Sequence, residues 1–324
     1  MTHPAGADVH RLPRTVAPIR YDIRLDPDLG SSTFTGEETV TLTLSEPVTE
    51  IVLNCAELQI QEASIQDERG ERMNGEATLD ETEERARLTF PGPLSPGTWR
   101  LSLRFTGILN DKLHGFYRSS YRDADGVQRF LAATQFEATD ARRAFPCWDE
   151  PDLKAVFAVT LVVDERLAAV SNTALISERL IPERAKKEMT FADTIKMSTY
   201  LVAFVVGELE ATQPAMVDHT PLRIWCVPGK GHLTRFAQEV AAFSLSFFEQ
   251  YYGSPYPGDK LDLIAIPDFA AGAMENLGAI TFRETALLLD ERIASHGELQ
   301  RVADVVAHEI AHMWFGDLVT MAWW

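Results

Sequence analysis

Two histidines and a glutamate have the spacing of a metal-binding pair with an adjacent base. His308 and His312 are four positions apart, and Glu309 directly follows the first of them. Side chains four positions apart share one face of an α-helix, so both imidazoles can bind the same metal ion. Glu309 is turned away from that face by about a quarter of a circle, so it can hold a metal-bound water instead. The pattern predicts hydrolysis, because zinc lowers the pKa of bound water to about 7 and Glu309 can take its proton as it attacks a carbonyl.

An ordinary solvated helix that contains these residues by chance is the alternative interpretation. The surrounding sequence favours the metal site, because Ser295 and Glu298 have the spacing of a capping box that starts a helix near Gly297. Apolar residues then recur at helical spacing: Val302, Val305, Val306 and Ile310. The two histidines are therefore predicted to lie on a capped amphipathic helix.

Three segments together resemble the M1 family of zinc metalloproteases, the gluzincin aminopeptidases, and in particular its aminopeptidase N-like members. Residues 308–320 are similar to the zinc helix with its H-E-x-x-H motif, Gly272–Asn276 matches the G-A-M-E-N exopeptidase motif, and residues 135–151 are similar to the Q-x-E-A segment. The three occur in the family's order, which makes the match far more specific than any one motif. The resemblance implies a hydrolase that uses Zn²⁺ to remove N-terminal residues from peptides.

The resemblance also implies roles for the residues that would hold the substrate. Glu275 and Glu137 would bind the α-ammonium group by charge-assisted hydrogen bonds. Small residues at Gly272 and Ala273 would let a peptide backbone pair along a strand edge. The expected substrate-binding set is Gln135, Glu137, Gly272, Ala273, Met274, Glu275 and Asn276, in which Gln135 and Met274 would shape the pocket for the first side chain. An exposed strand carboxylate at Glu137 and a plain core methionine at Met274 remain the alternatives.

Two histidines do not complete a catalytic zinc site, which normally takes three protein ligands. In the M1 family the third is a glutamate nineteen residues after the second histidine, a position that lies beyond Trp324. We therefore expect a truncated catalytic domain, one Zn²⁺ in the complete site of the parent enzyme, and little activity in this chain alone.

The elements before these motifs are predicted to be strands. Thr39–Leu44 and Trp99–Phe105 alternate strictly between apolar and polar residues, as half-buried strands do. Further strands are predicted at Tyr21–Leu25, Ile51–Asn54, Val156–Val163, Met189–Phe191 and Thr199–Val206. Many short strands with one apolar face indicate an N-terminal antiparallel β-sandwich domain, which we place at residues 1–208.

The pattern changes after Gly207, where helices join the strands. Strands are predicted at Leu222–Val227 and Leu261–Ile266, with a helix between them at His232–Tyr252. The apolar stripe predicted for this helix is Leu233, Phe236, Val240, Phe243 and Phe247. The fold class is α+β multidomain, and the resemblance identifies residues 209–324 as the front part of a thermolysin-like α+β catalytic domain.

Composition restricts the partners and the compartment. The 324 residues include 48 acidic and 30 basic side chains, a formal net charge of −18, which argues against nucleic acid or an anionic membrane surface as a partner. The three cysteines are far apart and indicate no disulfide framework. Residues 1–8 lack a signal-peptide pattern, and no apolar run is long enough to span a bilayer. We expect a cytoplasmic protein that acts on peptides with a free N-terminus, and its oligomeric state stays open.

Two other functions are alternatives to the peptidase. An epoxide hydrolase of the same superfamily would tend to carry glutamine in place of Glu137 and a second glycine in place of Ala273. A non-catalytic scaffold would lose the metal residues, whereas His308, Glu309 and His312 are retained. The scaffold therefore remains an alternative only for the truncated chain.

Overall fold

Strands make up most of the N-terminal part of the molecule. The computed structural model describes residues 10–324, so the interpretation of residues 1–8 lies outside it. The strands of the first large sheet are β1 (Val16–Asp28), β2 (Thr33–Leu44), β3 (Val48–Asn54), β4 (Gln59–Asp67), β5 (Arg72–Asp80), β6 (Arg85–Leu94), β7 (Gly97–Ile108), β10 (Val156–Asp164), β12 (Leu175–Ile181) and β13 (Lys186–Phe191). A second sheet contains β8 (Gly115–Arg122), β9 (Gln128–Gln135), β11 (Ala168–Ser171) and β14 (Phe204–Gly207).

The large sheet has ten strands in the order β12-β13-β10-β1-β2-β7-β4-β5-β6-β3. The expectation of purely antiparallel pairing is wrong at one place, because β1 runs parallel to β10, with Arg20 opposite Val156. These two strands are separated by most of the domain's sequence. A connection of that length does not force the chain to reverse, as a hairpin does, so a parallel neighbour is possible.

The two sheets pack face to face through aromatic side chains. The ring of Phe34 on β2 lies 5.2 Å from that of Phe116 on β8, and Phe116 lies 4.9 Å from Phe204 on β14. All three side chains are fully buried. The predicted two-layer β domain is therefore confirmed.

The strand predicted at Thr199–Val206 is wrong in its first half. Residues Thr199–Leu201 form a short 3₁₀ helix, and β14 begins only at Phe204. The reason is the buried side chain of Asn172, whose amide donates to Leu201 O at 2.7 Å and accepts from Ala203 N at 2.9 Å. Backbone groups that bind a side chain are not available to a β-ladder.

Glu38 introduces a carboxyl group into the apolar core of this domain. It lies on the core-facing side of β2, and neither carboxyl oxygen has a hydrogen-bond partner among the described residues. Burial raises the pKa of Glu38 well above its ordinary value. The physical cause is that the ionised form would lose its hydration without gaining a compensating contact.

We expect Glu38→Leu to raise the free energy of unfolding at about pH 8 by roughly 1–3 kcal/mol, since it removes an unpaired buried polar group. Because the pKa of Glu38 is higher in the folded than in the unfolded protein, the free energy of unfolding depends on pH. Glu38 destabilises the fold least below its unfolded pKa of about 4.3, and this advantage is lost as the pH rises through the folded pKa. The benefit of the substitution should therefore shrink at about pH 5. Urea unfolding of the 324-residue chain at both pH values measures this, with Glu37→Gln on the exposed face as control. An equal gain at both pH values would contradict the assignment.

The C-terminal part combines a third sheet, with both parallel and antiparallel pairs, and two helices. Its strands are β15 (Glu210–Ala211), β16 (Ala215–Val217), β17 (Thr220–Cys226), β18 (Leu261–Ile266), β19 (Ala273–Met274) and β20 (Ala279–Arg283). The strand order is β15-β17-β18-β20-β19, with β16 paired to β17. The helices are α1 (Arg235–Tyr252) and α2 (His296–His312), and they pack against each other. The predicted boundary at residue 208 falls between β14 and β15, which belong to different sheets.

The apolar stripe predicted for α1 is wrong in its second half. Phe243 is 72% exposed and Phe247 is 47% exposed. The buried face consists of the smaller residues Ala237, Ala241, Ser244 and Leu245. Both sets recur at helical spacing, and small side chains allow closer packing against the neighbouring elements, so periodicity alone could not select the inner face.

Helix α2 begins as the sequence predicts. Ser295 accepts a hydrogen bond from Glu298 N at 3.3 Å, and Glu298 accepts one from Ser295 N at 2.8 Å, which confirms the capping box. Val302, Val306 and Ile310 are buried. The helix ends at His312, so the second histidine is its last residue. In the described part of the chain, no helix combines the length and apolarity needed to cross a bilayer.

Candidate active site

The two histidines converge at the C-terminal end of α2. Their Nε2 atoms are 3.0 Å apart, and the ring planes are inclined at 82°. His312 Nδ1 lies 3.0 Å from Phe315 O, an oxygen that can only accept, so the geometry favours a proton on Nδ1 and a free lone pair on Nε2. Two nitrogens that bind one tetrahedral zinc ion at about 2.0–2.1 Å lie about 3.3 Å from each other. The pair therefore fits a divalent metal ion.

Glu309 differs from its histidine neighbours in being buried. Its side chain is 6% exposed, whereas His308 is on the exposed face of the helix. Glu309 Oε2 has no hydrogen-bond partner in the described part of the chain. Burial, and after it the carboxylates of Glu275 and Glu137, together raise the pKa of Glu309 to about 8. Glu309 is thus a buried carboxyl group with one oxygen that lacks a hydrogen-bond partner among the described residues.

Glu137 and Glu275 are two carboxylates near Glu309 that come from different domains. Glu137 follows β9 of the N-terminal domain and is exposed, and Glu275 lies between β19 and β20 and is buried. Partial desolvation and then the nearby Glu275 raise the pKa of Glu137, while His312 lowers it. Glu137 therefore lies within electrostatic range of Glu275 and His312, and both carboxylates lie within electrostatic range of Glu309. Two adjacent carboxylates repel each other, so a cation between them is favoured.

The segment before Glu275 is an edge strand. β19 pairs antiparallel with β20, with Ala273 opposite Phe282, and its other edge is unpaired among the described strands. Gly272 is exposed and Ala273 is half-buried, so an extended chain can approach this edge. A peptide could therefore add to the sheet here by backbone hydrogen bonds.

The remaining predicted residues occupy different environments. Gln135 is largely buried, and its Oε1 has no partner among residues 10–324. Met274 is fully buried, which agrees with a pocket wall and with a core methionine alike. Asn276 is also buried and donates from its amide to Thr281 Oγ1 at 3.1 Å. Its observed contacts hold the turn after Glu275, so its role in this structure is to shape that turn.

Two further residues near the site were missed by sequence reasoning. Asp317 is buried, and neither of its carboxyl oxygens has a partner in the described structure. Burial, followed by Glu275, raises its pKa well above the usual range. Tyr200 of the N-terminal domain is buried beside it, with a hydroxyl that has no partner within residues 10–324 and a ring 5.0 Å from Trp324. Asp317 lies within residues 308–320, the segment that resembles the zinc helix, so the sequence contained a signal for it. No local sequence pattern indicated Tyr200.

No cluster of three or more His, Cys, Asp or Glu side chains within residues 10–324 is arranged to hold a metal ion. His308 and His312 are the two side chains predicted to hold a metal ion, and they stay a prediction. The carboxyl groups near them are those of Glu137, Glu275, Glu309 and Asp317.

Comparison with known proteins gives matches across both domains. Residues 17–201 match the family model described as the Peptidase M1 N-terminal domain, and residues 236–324 match the Peptidase family M1 domain. Aminopeptidase M1-B of Oryza sativa subsp. japonica is 46% identical over 314 residues, which cover 97% of this chain and 35% of that protein. The puromycin-sensitive aminopeptidase of Caenorhabditis elegans is 42% identical over 321 residues, 99% of this chain and 34% of that protein. The alanine/arginine aminopeptidase of Saccharomyces cerevisiae is 43% identical over 320 residues, 97% of this chain and 36% of that protein. The chain thus spans about a third of the length of these relatives.

Proposed function

Because the chain belongs to peptidase family M1, we propose that its site serves a zinc-dependent aminopeptidase, which hydrolyses the N-terminal peptide bond of peptides. The proposal is supported by Glu137 and Glu275, which come from the two domains and lie within electrostatic range of each other and of Glu309 on α2. An enzyme that cuts next to a free N-terminus needs anionic groups one residue away from the reacting carbonyl. This arrangement supplies them.

His308 and His312 would hold the zinc ion through Nε2. A zinc ion held there supplies Lewis acidity toward the scissile carbonyl and a reacting water. Glu309 would act as the general base, taking a proton from the attacking water at its carboxylate and passing it to the leaving amine. The carboxylates of Glu137 and Glu275 hold the substrate's α-ammonium group by charge-assisted hydrogen bonds. The free edge of β19 aligns the peptide backbone, which keeps the reacting groups oriented.

The compartment is part of the proposal. Cys55, Cys147 and Cys226 are buried and free in the described structure. Free thiols are typical of reducing compartments, which supports a cytoplasmic location.

A free α-amine should be required for turnover. We expect a full-length protein that contains this chain to hydrolyse aminoacyl-anilides and to leave their N-acetylated forms intact, since an acetylated amine carries no charge for Glu137 and Glu275 to bind. A chelator should abolish the activity and added zinc should restore it. Comparable turnover of the acetylated substrates would overturn the proposal.

The 324-residue chain by itself should bind zinc weakly. It offers two imidazoles and no third ligand within residues 10–324. Mutation of residues that only hydrogen-bond to metal ligands lowers metal affinity by roughly 10–100-fold, so the absence of a direct ligand should lower zinc affinity by more than that. Metal analysis after dialysis measures this, with His308→Ala as the reference for a broken site. One tightly held zinc ion per chain, with turnover of an aminoacyl-anilide, would show that another residue or a second chain completes the site.

A further inference from the structure

We propose that the N-terminal β domain sets the spacing between Glu137 and Glu275 by clamping both ends of the segment 267–278, and that Asp268 and Asn172 are the positioning residues of this arrangement. The functional consequence of the clamp rests on the proposed aminopeptidase activity. The clamp itself is a property of the fold, and it can be measured without activity.

The first clamp holds the start of the segment at Asp268. Asp268 Oδ2 accepts hydrogen bonds from Ser120 N at 3.0 Å and from Ser120 Oγ at 2.9 Å. Asp268 N donates to Ser119 Oγ at 3.0 Å, and Tyr117 donates from its hydroxyl to Asp268 O at 2.9 Å. All of these partners are on β8, and Tyr117 and Ser119 are fully buried. One strand of the N-terminal domain therefore binds the backbone and the side chain of Asp268.

The same strand supports Glu137. β8 pairs antiparallel with β9 along its whole length, from Gly115 opposite Gln135 to Arg122 opposite Gln128. Glu137 follows the last residue of β9 by two positions. The strand pair that holds Asp268 thus also carries the first of the two carboxylates.

The second clamp holds the end of the segment at Leu277 and Gly278. Asn172 donates from Nδ2 to Leu277 O at 2.8 Å and to Leu201 O at 2.7 Å, so one buried amide joins the two domains. Lys260 Nζ donates to Ser171 O at 2.5 Å and to Gly278 O at 2.6 Å. Leu277 is two positions after Glu275.

Gly278 shows how close this approach is. Its φ is +74°, and a Cβ at this position would lie 2.1 Å from Asn172 O. Only glycine accepts that conformation and that contact without strain. The domains are therefore in direct backbone contact beside the second carboxylate.

The segment is also held within its own domain. β19 has two residues, and Arg283 binds the carbonyls of Phe269 and Ala270. These contacts fix the segment to its own sheet, but they do not relate Glu275 to Glu137. Because a displacement of about 1 Å can cost roughly 100-fold in rate, the interdomain bonds determine whether both carboxylates reach one ammonium group.

Asp268→Ala tests the first clamp, since the side chain is exposed and its loss should not unfold the protein. In the 324-residue chain we expect amide hydrogen exchange over residues 269–276 to quicken by about tenfold or more, because the charge-assisted bonds at one end are lost. Asp268→Asn keeps an acceptor oxygen and should restore most of the protection. Asp80→Ala is the matched control, since Asp80 accepts backbone hydrogen bonds in a turn of the first sheet. Unchanged exchange in Asp268→Ala would overturn the clamp.

The full-length protein tests the consequence for substrate. We expect Asp268→Ala and Asn172→Ala to raise KM for an aminoacyl-anilide by about tenfold, with a smaller change in kcat, because the ammonium group loses part of its charge-assisted binding. Zinc content should stay at the wild-type level. Faster exchange with an unchanged KM would overturn the positioning role while leaving the peptidase intact. A wild-type protein without any turnover would instead refute the proposed function, and hydrogen exchange would still decide the clamp.

Discussion

Glu309→Gln should leave the fold and the zinc content of the full-length protein intact while lowering kcat by about 10²–10⁴-fold, the usual contribution of a general acid–base group. Glutamine has the same shape as glutamate, so the buried position on α2 remains filled. It cannot take a proton, however, and Oε2 of Glu309 is the oxygen that the structure leaves without a partner. The histidines face a different side of the helix, so metal binding should not change.

The measurement combines kcat for an aminoacyl-anilide, zinc per chain and the thermal midpoint. Asp304→Asn is the matched control, because it makes the same carboxylate-to-amide change on the exposed face of the same helix. Only the Glu309 variant should lose turnover. Substantial activity in Glu309→Gln with zinc still bound would refute the assignment of the base.

Glu275→Gln should lower kcat/KM for substrates with a free α-amine by roughly 30-fold or more, as expected when one partner of a buried charged pair is removed. Glu275 is 7% exposed, whereas Glu137 lies on the surface of the site. Charge interactions are stronger away from water, so Glu137→Gln should cost less than Glu275→Gln.

Zinc content separates anchoring from a structural role in this experiment. If Glu275 only binds the ammonium group, the variant should keep its zinc while its KM rises. If zinc falls in proportion to activity, Glu275 would be a ligand or a structural residue and the anchoring role would be wrong. A loss in Glu137→Gln that exceeds the loss in Glu275→Gln would contradict the effect expected from burial.

The accuracy of the sequence-based predictions depended on how local each signal is. The start of α2 was predicted correctly because Ser295 and Glu298 cap the helix by contacts within one turn. The inner face of α1 was predicted wrongly, because Phe243 and the smaller Ala241 both recur at helical spacing and only neighbouring elements select between them. The 3₁₀ turn at Thr199–Leu201 depended on Asn172, a side chain distant in sequence.

The sequence by itself determined that the two histidines share one helix face and that the strands alternate, and it predicted Glu309 as the base. Four positions along an α-helix bring His308 and His312 to one face whatever surrounds the helix, because backbone hydrogen bonds fix that geometry locally. No local backbone geometry relates the two carboxylates, because Glu137 and Glu275 are far apart in the chain and lie in different domains. Tertiary structure brings them together through side chain–backbone contacts such as those of Asp268 and Asn172. Hydrogen bonds between domains follow no sequence period, so only the folded molecule decides which residues they join.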